Sequence, residues 1–288
     1  MSSFREVPLL PFTSAEVLST CQSFKDSDMP TLFLASYPKS GTTWLQCIVY
    51  HMLMRGDSHC EERLSHISHF SPFYEHHDTW IHRELKPEVV RNHFSLGQHV
   101  FNTHLLPWML PLTEPTVKAI YITRRPRSVA TSFYHHLHNQ LDQGGGFEES
   151  FLSFLTKWFR GDLPYGTWAE HVSDWLRAPE RVLLLEYEDL IDDLPAGVRS
   201  IALFLGLDLT EEEVHFVASR SSFSAMKNNS DKFQPISVRW RPGFSFIRKG
   251  VVDDRGLFDT ETEAIFDEEL RQLSRIGSLK ELSKYFRL

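Results

Sequence analysis

Strand-length apolar runs that alternate with helix-period segments predict an α/β protein, a central parallel sheet flanked by helices. Three observations carry that prediction. Residues 31–35, 117–123 and 181–187 are short, continuous and apolar, the pattern of strands buried on both faces. Segments with helical spacing follow them, such as Leu45, Ile48, Val49, Met52 and Leu53. The residues able to do chemistry also stand just after strands: Lys39, His104, Arg124 and Tyr187. In parallel α/β sheets, ligands bind beyond the carboxyl ends of the strands.

The elements follow in order along one domain, residues 1–288. Residues 1–30 are a lead-in, with Thr13-Ser14 capping a short helix over 15–24. Strand 31–35 enters the loop 36–44, and a helix leaves it to about residue 55. Residues 56–95 are rich in His and aromatic groups and weak in periodicity. They read as a long loop region walling a substrate pocket. A strand ends at Thr103-His104. Strand 117–123 runs through Arg124-Arg125-Pro126 into a helix over 127–140. The glycines at 144–146 break the chain. Helices over 147–159 and 165–176 follow, the second ended by Pro179. Strand 181–187 turns into a helix over 198–205 that stops at Gly206. Thr210, with Glu213 three residues on, caps the next. Residues 228–258 are loop-like, and 260–274 form an amphipathic helix with a shorter one after it.

With 288 residues, 41% of them hydrophobic, the chain can bury a large core. A net charge of −8 without a long basic run argues against nucleic acid and anionic membrane as partners. Any basic site must be local, at residues 124–127 or 239–249. Three irregularly spaced cysteines point to a reducing compartment, with no zinc site and no disulfide scaffold. The first 20 residues lack the apolar core of a signal peptide, and no stretch is long and apolar enough to span a bilayer, so the expected location is cytoplasmic.

The loop S-Y-P-K-S-G-T-T-W, residues 36–44, carries Lys39, Gly41 and the hydroxyls of Ser40, Thr42 and Thr43. Backbone N–H groups of such a loop and the N-terminus of the next helix suit one anion. It departs from the standard phosphate loop, since its Lys precedes its Gly. A solvated turn remains the alternative. His104 can serve as a base for a hydroxyl or amine, or be a buried, satisfied His. Arg124 with Ser132, and Arg248-Lys249-Gly250, are two possible clamps on one phosphate or ordinary surface turns. Trp44 and Phe223 can sandwich a base or belong to the core.

The block Y-P-K-S-G-T-T-W resembles the 5′-phosphosulfate loop of the cytosolic sulfotransferases. Residues 101–105 (F-N-T-H-L) resemble that family's K-T-H-L-P segment. Residues 72–75 (P-F-Y-E), 121–132, 186–189 (E-Y-E-D), 222–229 (S-F-S-A-M-K-N-N) and 246–250 (F-I-R-K-G) resemble further family segments in the same order. The likeness runs from about residue 30 to the end. It implies a transferase moving a sulfuryl group from 3′-phosphoadenosine 5′-phosphosulfate (PAPS) to a small organic acceptor, leaving adenosine 3′,5′-bisphosphate (PAP). No metal is expected. It implies His104 as general base and Lys39 on the bridging oxygen. Arg124, Ser132, Arg248, Lys249 and Gly250 would hold the 3′-phosphate. Trp44, Tyr187, Ser222, Phe223 and Met226 would hold the adenosine. Phe73, Tyr74, Asn102 and His136 would line the acceptor pocket. Alternatives are a nucleotide-dependent small-molecule kinase and a non-catalytic PAP- or nucleotide-binding protein.

Departures from the pattern are specific. Asn102 stands where the family usually has Lys, removing a cation near the sulfuryl group. Arg125-Pro126 and Ser128 replace Asn-Ala and Asp, and Asp253-Asp254-Arg255 replaces G-D-W. The family's dimer segment is not recognisable over 255–264, leaving monomer and homodimer both open. His135-His136 stands where vertebrate members often carry aromatics, implying a more polar pocket.

Overall fold

The structure, a computed structural model, describes residues 7–26, 28–141, 147–178, 180–248, 250, 256–275 and 282. Lys249, the glycines at 144–146, Pro179, residues 253–255 and the short helix expected at the C-terminus lie outside them. Four strands form a wholly parallel sheet: β1 (Thr31–Ser36), β2 (His99–Thr103), β3 (Val117–Thr123) and β4 (Val182–Glu186). Their spatial order is β2-β1-β3-β4. The register pairs Ala35 with Thr103 and Tyr121, and Thr123 with Glu186. All four carboxyl ends therefore meet along one edge, which is where Lys39, His104, Arg124 and Tyr187 follow.

Successive side chains of a strand face opposite ways, and here that alternation divides the core. Phe33, Ala35, Phe101, Ala119 and Tyr121 enter one apolar cluster, with the helices Phe151–Arg160 and Trp168–Leu176 packed on it. Leu32, Leu34, Val100, Ile120 and Ile122 enter the other, under the helices Thr42–Leu53, Leu194–Leu205 and Glu211–Arg220. This explains why the strand sequences are apolar throughout rather than alternating.

Two expectations need correction. β4 is only half-buried, with Leu184 40% exposed. It is an edge strand that pairs with β3 alone among the described residues, so one flank lacks cover. Residues 56–95 are more ordered than a loop. They hold the helices Cys60–Arg63, Ile67–Phe70 and Pro87–Leu96, and a hairpin of Trp80–Ile81 with Glu84–Leu85. Apolar spacing does not reveal the third helix, because it buries only Val89 and His93 and leaves Phe94 exposed. Its boundaries are nonetheless conventional: Pro87 in the first turn and Gly97 at φ +67° after the last. Among the described residues, no helix is long and apolar enough to cross a membrane.

The edge position of β4 has a measurable consequence. Ile120→Ala, at a fully buried position of β3, should cost about 2–5 kcal/mol of unfolding free energy. Leu184→Ala should cost a small fraction of that in the same urea titration. Equal losses would contradict the edge assignment.

Candidate active site

β1 delivers the chain into the loop with little freedom left. Lys39 adopts φ +69° and Gly41 φ +114°, and the Ser40 N–H closes the turn on the Tyr37 carbonyl (3.1 Å). A Cβ on Gly41 would stand 2.9 Å from the Tyr187 ring and 3.2 Å from Ile122, so glycine is required both for its backbone angle and for room. The helix Thr42–Leu53 begins immediately, with its N-terminus facing the loop. The hydroxyls of Ser36 and Thr42 lie 2.5 Å apart. The Lys39 amine lies over the Phe246 ring, 3.9 Å from its centroid. Burial and the charges of Arg124 and Arg248 together pull it down to about 7.

His104 is fixed from three sides. Its Nδ1–H donates to the Ser36 carbonyl (2.8 Å), its backbone N–H donates to Glu75 Oε1 (2.8 Å), and its carbonyl accepts from His171 Nε2–H (2.9 Å). His171 in turn accepts from the Tyr121 hydroxyl (2.9 Å). Burial holds His104 down, to about 4, with the Lys39 charge acting the same way and the bond to Ser36 opposing both. The ring is neutral at pH 7. Phe73 and Tyr165 meet it edge-on at 5.4 and 5.3 Å.

These groups open on a single cavity of about 940 Å³ beyond the carboxyl edge of the sheet. It brings together Lys39, Gly41, Thr42, Thr43, Trp44, Phe73, Asn102, His104, Arg124, Ser132, His136, Tyr187, Ser222, Phe223, Met226, Arg248 and Gly250, nearly every candidate that the sequence offers. At one end the Arg124 guanidinium lies over the Tyr187 ring (4.2 Å). Trp44 meets Tyr187 edge-on (5.0 Å) and ties its indole N–H to the Ser221 carbonyl (2.7 Å). Ser222 caps the helix Phe223–Asn228.

Two candidates lie elsewhere. Tyr74 is fully buried in the core, its hydroxyl donating to the Cys21 carbonyl (2.9 Å), because a strand-like bridge beside Asn102 turns Phe73 outward and Tyr74 inward. Ser40 is buried behind the loop rather than on the cavity wall. Of the basic turn, only Arg124 reaches the cavity. Arg127 pairs with Glu263 and Asp267 instead. Sequence reasoning missed Glu75, Tyr165, Gln140 and Phe246. Glu75 stood in the quoted P-F-Y-E segment, which was read only for its aromatics. The histidines of 66–77 do not form a site around one point. Among the described residues, His76, His77 and Asp78 are the one set close enough to share an ion, and His76 Nδ1 already accepts the Asp78 N–H (3.0 Å).

Residues 29–276 match the family described as Sulfotransferase domain. Sulfotransferase 1E1 of Homo sapiens is 33% identical over 258 residues, 86% of this chain and 85% of that protein. The chain belongs to the sulfotransferase family. A 3-beta-hydroxysteroid sulfotransferase of Cavia porcellus is 35% identical over 237 residues, 80% and 77% of the two chains. Mouse sulfotransferase SULT7A1 complexed with PAP superposes with a TM-score of 0.73 at 26% identity over 98% of both chains. Retinol dehydratase in complex with androsterone and PAP superposes at 0.72, with 25% identity over 91% of this chain and 85% of that one. The protein is a sulfotransferase that uses PAPS as donor and releases PAP, acting on a small-molecule acceptor.

The residues of this sulfotransferase fit such a donor. Thr42, Thr43, Ser132 and Ser222 bring hydroxyl side chains to the cavity wall. Lys39, Arg124 and Arg248 put positive charge around one end of the cavity, and Lys39 is depressed in a way that a nearby anion reverses. A Cβ on Gly250 would run into the Phe223 ring at 2.3 Å, so the two segments close on each other only with glycine there.

Glu75 gives a pH prediction. Burial raises its carboxyl to about 7, against the opposing hydrogen bonds from the His104 N–H and the Thr103 hydroxyl (2.7 Å). A folded value above the ordinary 4.5 contributes stability that is full below about pH 4.5 and lost as pH rises through 7. Over that window the wild-type urea midpoint should fall more steeply than that of Glu75→Gln. Parallel profiles would mean that Glu75 is ionised throughout.

Proposed function

We propose that His104 is the general base of an in-line transfer of the sulfuryl group to a hydroxyl or amine of a small organic acceptor. The observation that carries this reading is the bond from His104 to the Ser36 carbonyl. A carbonyl only accepts, so the ring proton sits on Nδ1 and Nε2 keeps a lone pair. That nitrogen belongs to a neutral ring on the cavity wall, ready to take the acceptor's proton.

PAPS, when bound, supplies the sulfuryl group and a phosphate as leaving group. Lys39 would stabilise the bridging oxygen from the head of the helix Thr42–Leu53, with Thr42 and Thr43 as further donors. Arg124, Ser132 and Arg248, together with Lys249, would hold the 3′-phosphate. Trp44, Tyr187, Phe223 and Met226, with Ser222, would hold the adenosine, and Gly250 would join Arg248 at the 3′-phosphate. Phe12, Phe73, Phe133, Leu137, Pro164 and Tyr165 give the rest of the cavity apolar walls, and His66, His69 and His76 add polar groups. That lining suits an acceptor with an apolar body and more than one polar group. Cys21, Cys47 and Cys60 are all free thiols, in keeping with a cytoplasmic setting.

An acceptor screen with labelled PAPS tests the reading, and activity should survive EDTA. Loss of activity with EDTA, or transfer from ATP instead, would favour a kinase. His104→Ala should abolish transfer while PAP affinity stays near wild type. Wild-type turnover in that variant would remove His104 from the role of base. Lys39→Ala should lower kcat by roughly 10²–10³.

Proton linkage gives an independent check. Lys39 sits at about 7 in the free protein, and a bound anion raises it. PAP binding near pH 8 should therefore take up a proton, and affinity should weaken as pH rises above 7. Calorimetry in buffers of different ionisation enthalpy reads the uptake directly. No uptake in wild type, or the same uptake in Lys39→Met, would place the titrating group elsewhere.

A further inference from the structure

The roles above leave His136 only a place on the cavity wall, yet its ring is held on every side. Nδ1 lies 3.2 Å from Lys39 Nζ, and Nε2 lies 2.7 Å from the side-chain amide of Gln140, just past the end of the helix Pro126–His138. Trp240 and Phe246 pack against the ring, 5.1 and 6.0 Å between centroids. Phe246 also carries the Lys39 amine on its face. Asn102 makes a separate contact, its amide nitrogen donating to the Ser71 carbonyl (2.5 Å).

We propose that His136, oriented by Gln140, is a positioning residue that holds the Lys39 amine at the reacting end of the cavity. The pair works in both charge states of the amine. As an ammonium, Lys39 donates to Nδ1, and Nε2–H donates to the Gln140 amide oxygen. As a neutral amine, Lys39 accepts from Nδ1–H, and the Gln140 amide nitrogen donates to Nε2. The exchange needs only a change of ring tautomer and of amide orientation. The charged and titratable groups facing the pair are Arg124 and Arg248 beside Lys39, and His104 beside His136. Burial, then Lys39 and His104, hold His136 well below its usual range, so the ring stays neutral rather than adding a further positive charge.

The proposal rests on the transfer reaction above, so its test includes a readout that needs no acceptor. The rate of Lys39 acetylation by acetic anhydride, followed against pH on the peptide that contains it, reports the protonation of the amine. His136→Phe removes the acceptor that favours the ammonium, and the midpoint should fall by about one pH unit. His136→Gln keeps an acceptor oxygen and should stay near wild type. In turnover, His136→Phe should lower kcat about tenfold with little change in KM for PAPS, and His136→Gln should recover most of the loss. Gln140→Ala releases the ring and should shift the midpoint the same way, which covers a misfolded His136→Phe. An unchanged Lys39 midpoint in the folded variant overturns the proposal. A shifted midpoint without transfer to any acceptor supports the contact and counts against the transfer reading instead.

Discussion

Lys39 is held where an amine is poorly placed to carry its charge. Burial and the guanidinium groups of Arg124 and Arg248 all favour the neutral form, and the result is a lysine near 7 instead of 10.5. The left-handed turn at Lys39 and the Gly41 contact with Tyr187 prevent the loop from relaxing away from that position. An anion at the head of the helix Thr42–Leu53 removes the conflict, because it pairs with three positive groups that otherwise repel one another. The free site is thus organised at some electrostatic expense for a ligand of high negative charge.

The fold keeps His104 and the loop in register through a few hydrogen bonds that cross between strands. β1 and β2 are neighbours, so the Ser36 carbonyl at the end of one reaches the His104 ring at the end of the other. Glu75 secures the same point from outside the sheet by accepting from both Thr103 and the His104 N–H. His171 and Tyr121 secure the far side of the His104 backbone. None of these partners needs to touch the acceptor. Together they set the ring orientation and the tautomer, and the proposed role of His104 needs both.

How much was legible in the sequence follows from the range of the interactions involved. The strands and the loop are local patterns: short apolar runs, one glycine, one lysine, a helix behind them. They were readable, and so was the common placement of Lys39, His104, Arg124 and Tyr187. Tyr74 and Glu75 show the limit. Both sit in one short segment, and only the bridge between Phe73 and Asn102 decides that Tyr74 turns into the core while Glu75 reaches His104. The helix Pro87–Leu96 was missed because it docks with two buried side chains, one of them a histidine. Tyr165 was missed for a third reason: its contact with His104 joins segments far apart in the chain, and its φ of +70° is not expected of a tyrosine. Contacts between distant segments leave little trace in spacing.

Asn102 and His136 are better understood together than apart. The first places a neutral amide where the family resemblance leads one to expect a lysine, and its nitrogen donates to the Ser71 carbonyl. The second places a neutral imidazole against the remaining lysine. A further permanent cation beside Lys39 would depress that amine more, as Arg124 and Arg248 already do. A neutral hydrogen-bonding ring holds it without adding charge. The cost is that Lys39 alone must meet the charge that develops on this side, so its position matters more than in a site with two cations. The rings of Phe246 and Trp240 and the Gln140 amide make the imidazole rigid, and with it the amine. On the proposed reading, positional precision at Lys39 offsets the charge that an amide at residue 102 does not supply.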